Sequence, residues 1–348
     1  MAANISDGVA DPSSAGDSAY FVYYYTTLIT LTLINICGNS LVIVSVATFR
    51  TLRNVSNYFI TSLSCSDILL GIFYTLYNLS HMEVPAMQVI GSNWIFCDFM
   101  IAFFEGLFYC SSFNLVAITI VRYIAVTDPV GYATKLTKRK TVYAIIAIWI
   151  GSMLFSGILF IRPQPATFKG SCRYELISPV WHLMVMLTFM VLVPWVIMVA
   201  LYVRIWMIAR ERIWKNAKRQ NQVAPSGTAG NGQEDREKNA HLYKKEMKAT
   251  KMVALVLGYY ILAWAPLMIF LFIGLSCKTC FIDRYIRATV RLLLHSNSAV
   301  NVFIYAGSSP EFKRAFKQTL CRIVCCCTRP PTFGGNNVPL TSCSGSAS

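Results

Sequence analysis

Seven stretches of about 20 residues or more, nearly free of charge, follow one another along the chain, near residues 20–48, 57–80, 97–121, 141–162, 179–205, 251–275 and 284–306. A hydrocarbon core roughly 30 Å thick is crossed by about 20 apolar residues in a helix, so each stretch predicts a membrane-spanning helix. The expected fold is an all-α membrane protein, a seven-transmembrane helix bundle. A composition of 55% hydrophobic against 14% charged residues would also suit a large soluble core, so the unbroken runs decide the class. No soluble domain of independent size is left over.

Residues 1–19 are polar and acidic, without a basic start or an apolar stretch, which predicts a translocated tail and not a cleaved signal peptide. Basic residues near helix ends are retained on the cytoplasmic side. The first, third and fifth connections together with the tail after Tyr305 hold 24 of the 31 Lys and Arg residues. The amino terminus is thus expected outside and the carboxyl terminus in the cytoplasm, in a multi-pass protein of the plasma membrane. The net charge of +15 becomes an inner-face feature. It serves topology and contact with anionic membrane lipid, and it could also dock an acidic partner; nucleic acid is not an expected partner.

Of 12 cysteines, Cys97, Cys172, Cys277 and Cys280 fall on the oxidising outer side, an even number consistent with two disulfides. A bond from Cys97, at the start of the third span, to Cys172 would tie the second outer loop over the bundle. Cys277 and Cys280 would close a tight loop of their own. A metal site is the rival reading of the four, although no outer His sits at ligand spacing. On the inner side, residues 309–320 predict a short amphipathic interfacial helix, with Phe312 and Phe316 one turn apart and basic residues between them. Cys321, Cys325, Cys326 and Cys327 follow it as palmitoylation candidates or as reduced thiols.

The expected division is an extracellular tail over 1–19, the bundle over 20–306, a flexible third inner loop over 213–243 flanked by basic helix extensions, and a cytoplasmic tail over 321–348. The loop's centre, Gln222 to Gly232, is too polar and glycine-rich to bury much apolar surface. Asn4 opens a glycosylation sequon on the outer side.

Polar groups inside the spans cost several kcal/mol unless paired or hydrated and tend to mark function. Asn39, Asp67, Ser111, Asn297, Ser298 and Asn301 come from four spans. One carboxylate among hydroxyl and amide oxygens suits a small hard cation, Na⁺ more than Ca²⁺; the alternative is a hydrogen-bonded network that holds the helices together. No other cofactor is expected.

Gly38-Asn39, Ser62-Leu63 with Asp67, Trp94 and Cys97, Arg122-Tyr123, Trp149, Pro194 with Tyr202, Ala263-Trp264-Ala265-Pro266, and Asn301 with Tyr305 occur in order, one set per span. In these the chain resembles the rhodopsin-like G-protein-coupled receptors over residues 20–320. The resemblance implies that an agonist in the outer half of the bundle biases a two-state equilibrium. The sixth span would swing about Pro266 to admit a heterotrimeric G protein, with Trp264 reporting pocket occupancy, and arrestin and a receptor kinase would be further partners. Arg122 would pair with Glu246 at rest. Val121 stands where the family usually has an acid beside this Arg, so raised basal signalling is expected, and Val302 stands where it usually has Pro.

Phe104 sits where aminergic receptors carry an Asp and His295 where opsins carry a Lys, which disfavours an amine or retinal ligand. His295, Tyr174-Glu175 after Cys172, Cys277 with Cys280, and Tyr243 to Lys248 are instead similar to adenosine receptors. The resemblance implies a small purine-like ligand and modulation of cyclic AMP, with Phe104, Glu105, Phe108, Tyr174, Glu175, Trp264, Leu267, Met268, Leu271, Arg291 and His295 around it. Leu271 and Met268 replace an Asn and a His of that pattern. Glu105 and Arg291 are added charges that either pair with each other or with outer-loop charges, or leave Arg291 to receive an anionic ligand group.

A transporter would show internal repeats or interrupted helix pairs, and none is evident. An intramembrane enzyme would need clustered ligands or a paired nucleophile and base, whereas His81, His182, His241 and His295 are scattered among separate segments. An orphan receptor for a lipid, peptide or anionic metabolite is the alternative within the receptor class.

Overall fold

The computed structural model describes residues 15–79, 92–128, 131–159, 172, 179–222, 231–277 and 282–325. In chain order the helices are α1 (Ala15–Thr48), α2 (Val55–Leu79), α3 (Trp94–Thr127), the single turn α4 (Tyr132–Lys135), α5 (Lys138–Leu159), α6 (Val180–Leu187), α7 (Val193–Gln222), α8 (Asn231–Ser276), α9 (Arg284–Ser308) and α10 (Pro310–Cys325). A π-helical turn, Thr188–Leu192, joins α6 to α7, so the fifth span is one helix with a bulge. Among the described residues there is no strand.

Six of the helices are long and apolar enough to cross a membrane. The seventh span, α9, is more polar because His295, Asn297, Ser298 and Asn301 are buried against its neighbours. α3 is the axis of the bundle, packing on α2, α5, α7 and α8. Within its apolar window 72% of residues are buried, against 17% for α5. The outer rim is correspondingly apolar and exposed, as at Leu154, Ile158, Trp206, Phe272 and Phe303, the pattern of a bundle whose surroundings are lipid.

Helix starts are chemically marked. The Asn93 side chain accepts from the Phe96 amide to cap α3, and the Asp283 carboxylate accepts from the Tyr285 and Ile286 amides to cap α9.

Two expectations are modified. Helix occupies much of the segment 213–243 expected as a loop, since α7 continues to Gln222 and α8 begins at Asn231; Lys, Arg, Glu and Gln there are good helix formers. The apolar face of α10 does not simply meet lipid. Phe312, Ala315 and Phe316 are buried in the main apolar cluster, with Phe312 stacked on Tyr305 at 5.7 Å, and Thr319 approaches Ser45 of α1.

Candidate functional site

At mid-bundle, Asp67 is fully buried and its carboxylate is surrounded by donors. Ser111 and Ser298 donate to Oδ1 at 3.1 and 2.9 Å, and the Asn301 amide donates to Oδ2 at 3.0 Å. Asn35 donates to the Asp67 backbone carbonyl at 2.7 Å, and Asn39 donates to the Asn35 side chain at 2.6 Å and the Ser298 carbonyl at 3.1 Å. The cluster thus links α1, α2, α3 and α9. Asn297 is buried on α9 and makes no hydrogen bond to Asp67. Asn35 was missed, although Thr32, Asn35 and Asn39 are spaced three and four apart and so share a helix face.

Toward the Cys97 end of α3 lies an aromatic box. Phe104 meets Tyr74 at 6.0 Å, Tyr77 at 5.0 Å and Phe108 at 6.3 Å between ring centres, and Phe108 stands edge-on to Trp264 at 5.5 Å. Tyr74 also stacks on His295 at 5.3 Å. The His295 Nε2 lies 2.8 Å from Thr32 Oγ1. That hydroxyl donates to the Leu28 carbonyl and also contacts Thr75 at 2.6 Å. One hydroxyl proton serves three contacts, so the direction of the His295 bond follows the tautomer of its ring. His295 therefore ties α9 to α1 and α2.

On the far side of α3, the His182 Nε2 of α6 donates to Glu105 Oε2 at 3.2 Å, with both side chains almost wholly buried. Glu105 Oε1 accepts no hydrogen bond from the described residues. Glu105 therefore pairs with His182 and not with Arg291, and His182 is not isolated as its sequence position suggested. Its signal was the cost of an imidazole at the start of an apolar run. Arg291 lies over the Tyr24 ring at 5.6 Å.

Deeper, Tyr260 of α8 touches Trp264 at 6.0 Å, and its hydroxyl meets Ser112 of α3 and the Met190 carbonyl of the π turn. Pro266 lies inside α8. Arg122 is buried near the carboxyl-terminal end of α3 beside Val121, which is part of the main apolar cluster. Trp149 donates to Ser62, joining α5 to α2 at 3.0 Å.

A disulfide joins Cys97 to Cys172 with the two Cα atoms 5.6 Å apart. Cys277 is disulfide-bonded, and Cys280, its expected partner, lies outside the described residues. So do Asn4, Tyr174, Glu175, Cys326 and Cys327, and the side chains of Glu246, Leu271 and Cys325. Leu267, Met268 and Tyr202 pack half-buried against the main cluster, and Cys321 is half-buried on α10. No group of three or more His, Cys, Asp or Glu side chains suited to a metal ion occurs among the described residues.

The family model of the seven-transmembrane receptors, rhodopsin family, matches residues 38–305. The chain belongs to that family.

It is a receptor family and not an enzyme family, and the chain is a multi-pass membrane receptor. Among the receptor's relatives, mouse trace amine-associated receptor 7a is 30% identical over 300 residues, covering 81% of this chain and 77% of the relative. Mouse trace amine-associated receptor 7f is 28% identical over 296 residues, covering 82% and 78%. The octopamine receptor beta-2R of Drosophila melanogaster is 26% identical over 344 residues, covering 89% of this chain and 63% of its own length. These relatives are named for amines, whereas the motif reading pointed to adenosine receptors.

Proposed function

We propose that this receptor is activated by a small extracellular aromatic amine and signals through a heterotrimeric G protein, with its amino terminus outside and its carboxyl terminus in the cytoplasm. The observation that carries the ligand class is Glu105, a buried carboxylate next to Phe104 along α3 and turned toward His182 of the fifth span, with one oxygen that accepts no hydrogen bond from the described residues. Phe104 removes an acid from the place where aminergic receptors have it, and Glu105 supplies one at the next residue. The rings of Phe104, Phe108, Tyr74 and Trp264 offer faces and edges to an aromatic ligand and cation–π attraction to an ammonium group.

Ligand contact at Phe108 reaches Trp264 through their edge-on packing, and Trp264 bears on Tyr260 one turn inward. Pro266 removes a helical hydrogen bond and lets the inner half of α8 pivot. The outward swing of α8 opens the inner face to the G protein. Asp67, Ser111 and Ser298 would hold a sodium ion in the resting state, because both hydroxyls converge on one carboxylate and each retains lone pairs for a cation.

A purine ligand is the second reading. His295 stacks on Tyr74 at the edge of the box, and the same rings would stack on a base. The discriminating experiment is cyclic AMP in cells expressing the chain, with phenylethylamine, adenosine or ATP added, beside Glu105→Gln and His295→Ala. An amine response lost in Glu105→Gln supports the first reading; an adenosine response lost in His295→Ala supports the second.

A further inference from the structure

Glu105 and His182 meet across two spans, with Oε2 and Nε2 3.2 Å apart and their side chains 2% and 0% exposed. We propose that His182 is a positioning residue for the ligand's ammonium group and that its own proton competes with that group for the charge of Glu105. The neutral ring holds Oε2 and leaves Oε1 to the amine. The protonated ring takes the place in the charge balance that the amine needs. The proposal rests on the reading of Glu105 as the amine's anchor.

Three observations carry it. First, the pair divides the carboxylate. His182 takes Oε2, and Oε1 accepts no hydrogen bond from the described residues. A neutral imidazole has a single N–H, so it fixes one oxygen and leaves the other open to a donor. Second, another polar group marks the open side. Tyr109 lies one turn further along the same face of α3, fully buried, and its hydroxyl has no hydrogen-bond partner among the described residues. An ammonium group can donate to Oε1 and to the phenol oxygen together. Third, the pair holds one negative charge, and its described surroundings offer no counter-charge for a second cation. α6 and the π turn carry no other ionisable residue. On α3, Cys110 contacts Asn114, Asp98 stands about two turns toward the amino-terminal end, and Arg122 lies near the other end. α5 has Lys138, Arg139, Lys140 and Tyr143 in its first two turns, far from Ser156, which donates to the Ala102 carbonyl near Glu105. Tyr260 of α8 is engaged by Ser112 and Met190, α7 has no ionisable residue before Tyr202, and phenols stay neutral below pH 8. One buried carboxylate offsets one cation, and a second would leave a net buried charge. The proton and the ammonium group therefore exclude each other.

The test is equilibrium binding of radiolabelled phenylethylamine to membranes carrying the full chain between pH 6 and 8, a range in which an alkylammonium stays charged. Affinity should fall on acidification, approaching about tenfold per pH unit, the limit for one competing proton. His182→Gln keeps an N–H donor for Oε2 and cannot take a proton, so its affinity should not vary with pH. His182→Ala leaves the carboxylate without the donor that orients it and should bind about tenfold more weakly at pH 8, whereas His182→Gln should restore binding there. A flat profile in the native chain, a native slope in His182→Gln, or full affinity in His182→Ala would each overturn the proposal and leave the amine reading in place. Absence of phenylethylamine binding at every pH would overturn the amine reading and this proposal with it.

Discussion

The Tyr260 hydroxyl donates to the Met190 carbonyl across 2.7 Å, fastening α8 to the π turn of the fifth span. Pro194 stands four residues after Met190 and has no N–H, so the donor that a regular helix would supply to this carbonyl is missing. Tyr260 fills that place while accepting from Ser112 on α3 at 2.7 Å. One hydroxyl therefore joins three spans just inward of Trp264.

Tyr260→Phe removes both bonds and leaves the Met190 carbonyl and the Ser112 hydroxyl buried. A loss of about 1–3 kcal/mol in the resting state is expected, seen as a lower melting temperature of the purified receptor. Because the bond restrains α8, basal nucleotide exchange on the G protein should rise. Pro194→Ala restores an N–H near Met190 and should recover part of the stability lost in Tyr260→Phe.

The approach of α1 to α9 is set by Gly38. A Cβ built there would stand 2.6 Å from Val302 Cγ1, and a β-branched side chain has little rotamer freedom to retreat. Gly38→Ala should cost about 1–3 kcal/mol through overpacking. Gly38→Ala/Val302→Ala should regain most of it. Thermal melts of the four proteins of the cycle measure the coupling.

The seven spans were legible because lipid leaves the backbone no choice but helix, so apolar length alone specifies them. The Asp67 cluster was legible in outline for the same reason, since a carboxylate in an apolar run calls for partners. Sequence spacing does not say which of three adjacent polar residues on α9 faces α2, and in the structure it is Ser298 that bonds to Asp67. The Glu105 and His182 pair was invisible, being made across 77 positions between two spans whose rotation no local pattern fixes. The π turn has no sequence signature beyond Pro194.

Asp67→Asn keeps the size of the side chain and removes the charge. If the site holds sodium, raising Na⁺ against a K⁺ control should lower agonist affinity in the native chain and leave it unchanged in Asp67→Asn. Sodium dependence that survives the substitution would leave the cluster as a structural network alone.

Outside the membrane, Lys135 and the Gly131 amide hold the Asp128 carboxyl below its ordinary value. A depressed folded value means that this carboxylate supports the ordered turn above about pH 4. The support fades as the pH falls through the depressed value. Hydrogen exchange at the Gly131 amide, corrected for intrinsic rate, should be flat from pH 5 to 8 and should rise below pH 4. Asp128→Asn should show fast exchange throughout.

The most direct measurement is GTPγS uptake by a heterotrimeric G protein reconstituted with the purified receptor, with phenylethylamine or adenosine added. Uptake should rise with the amine and the rise should be lost in Glu105→Gln, while the basal rate of that variant persists. A rise with adenosine alone, or an amine response of full size in Glu105→Gln, would contradict the assignment of Glu105 as the ligand's anchor.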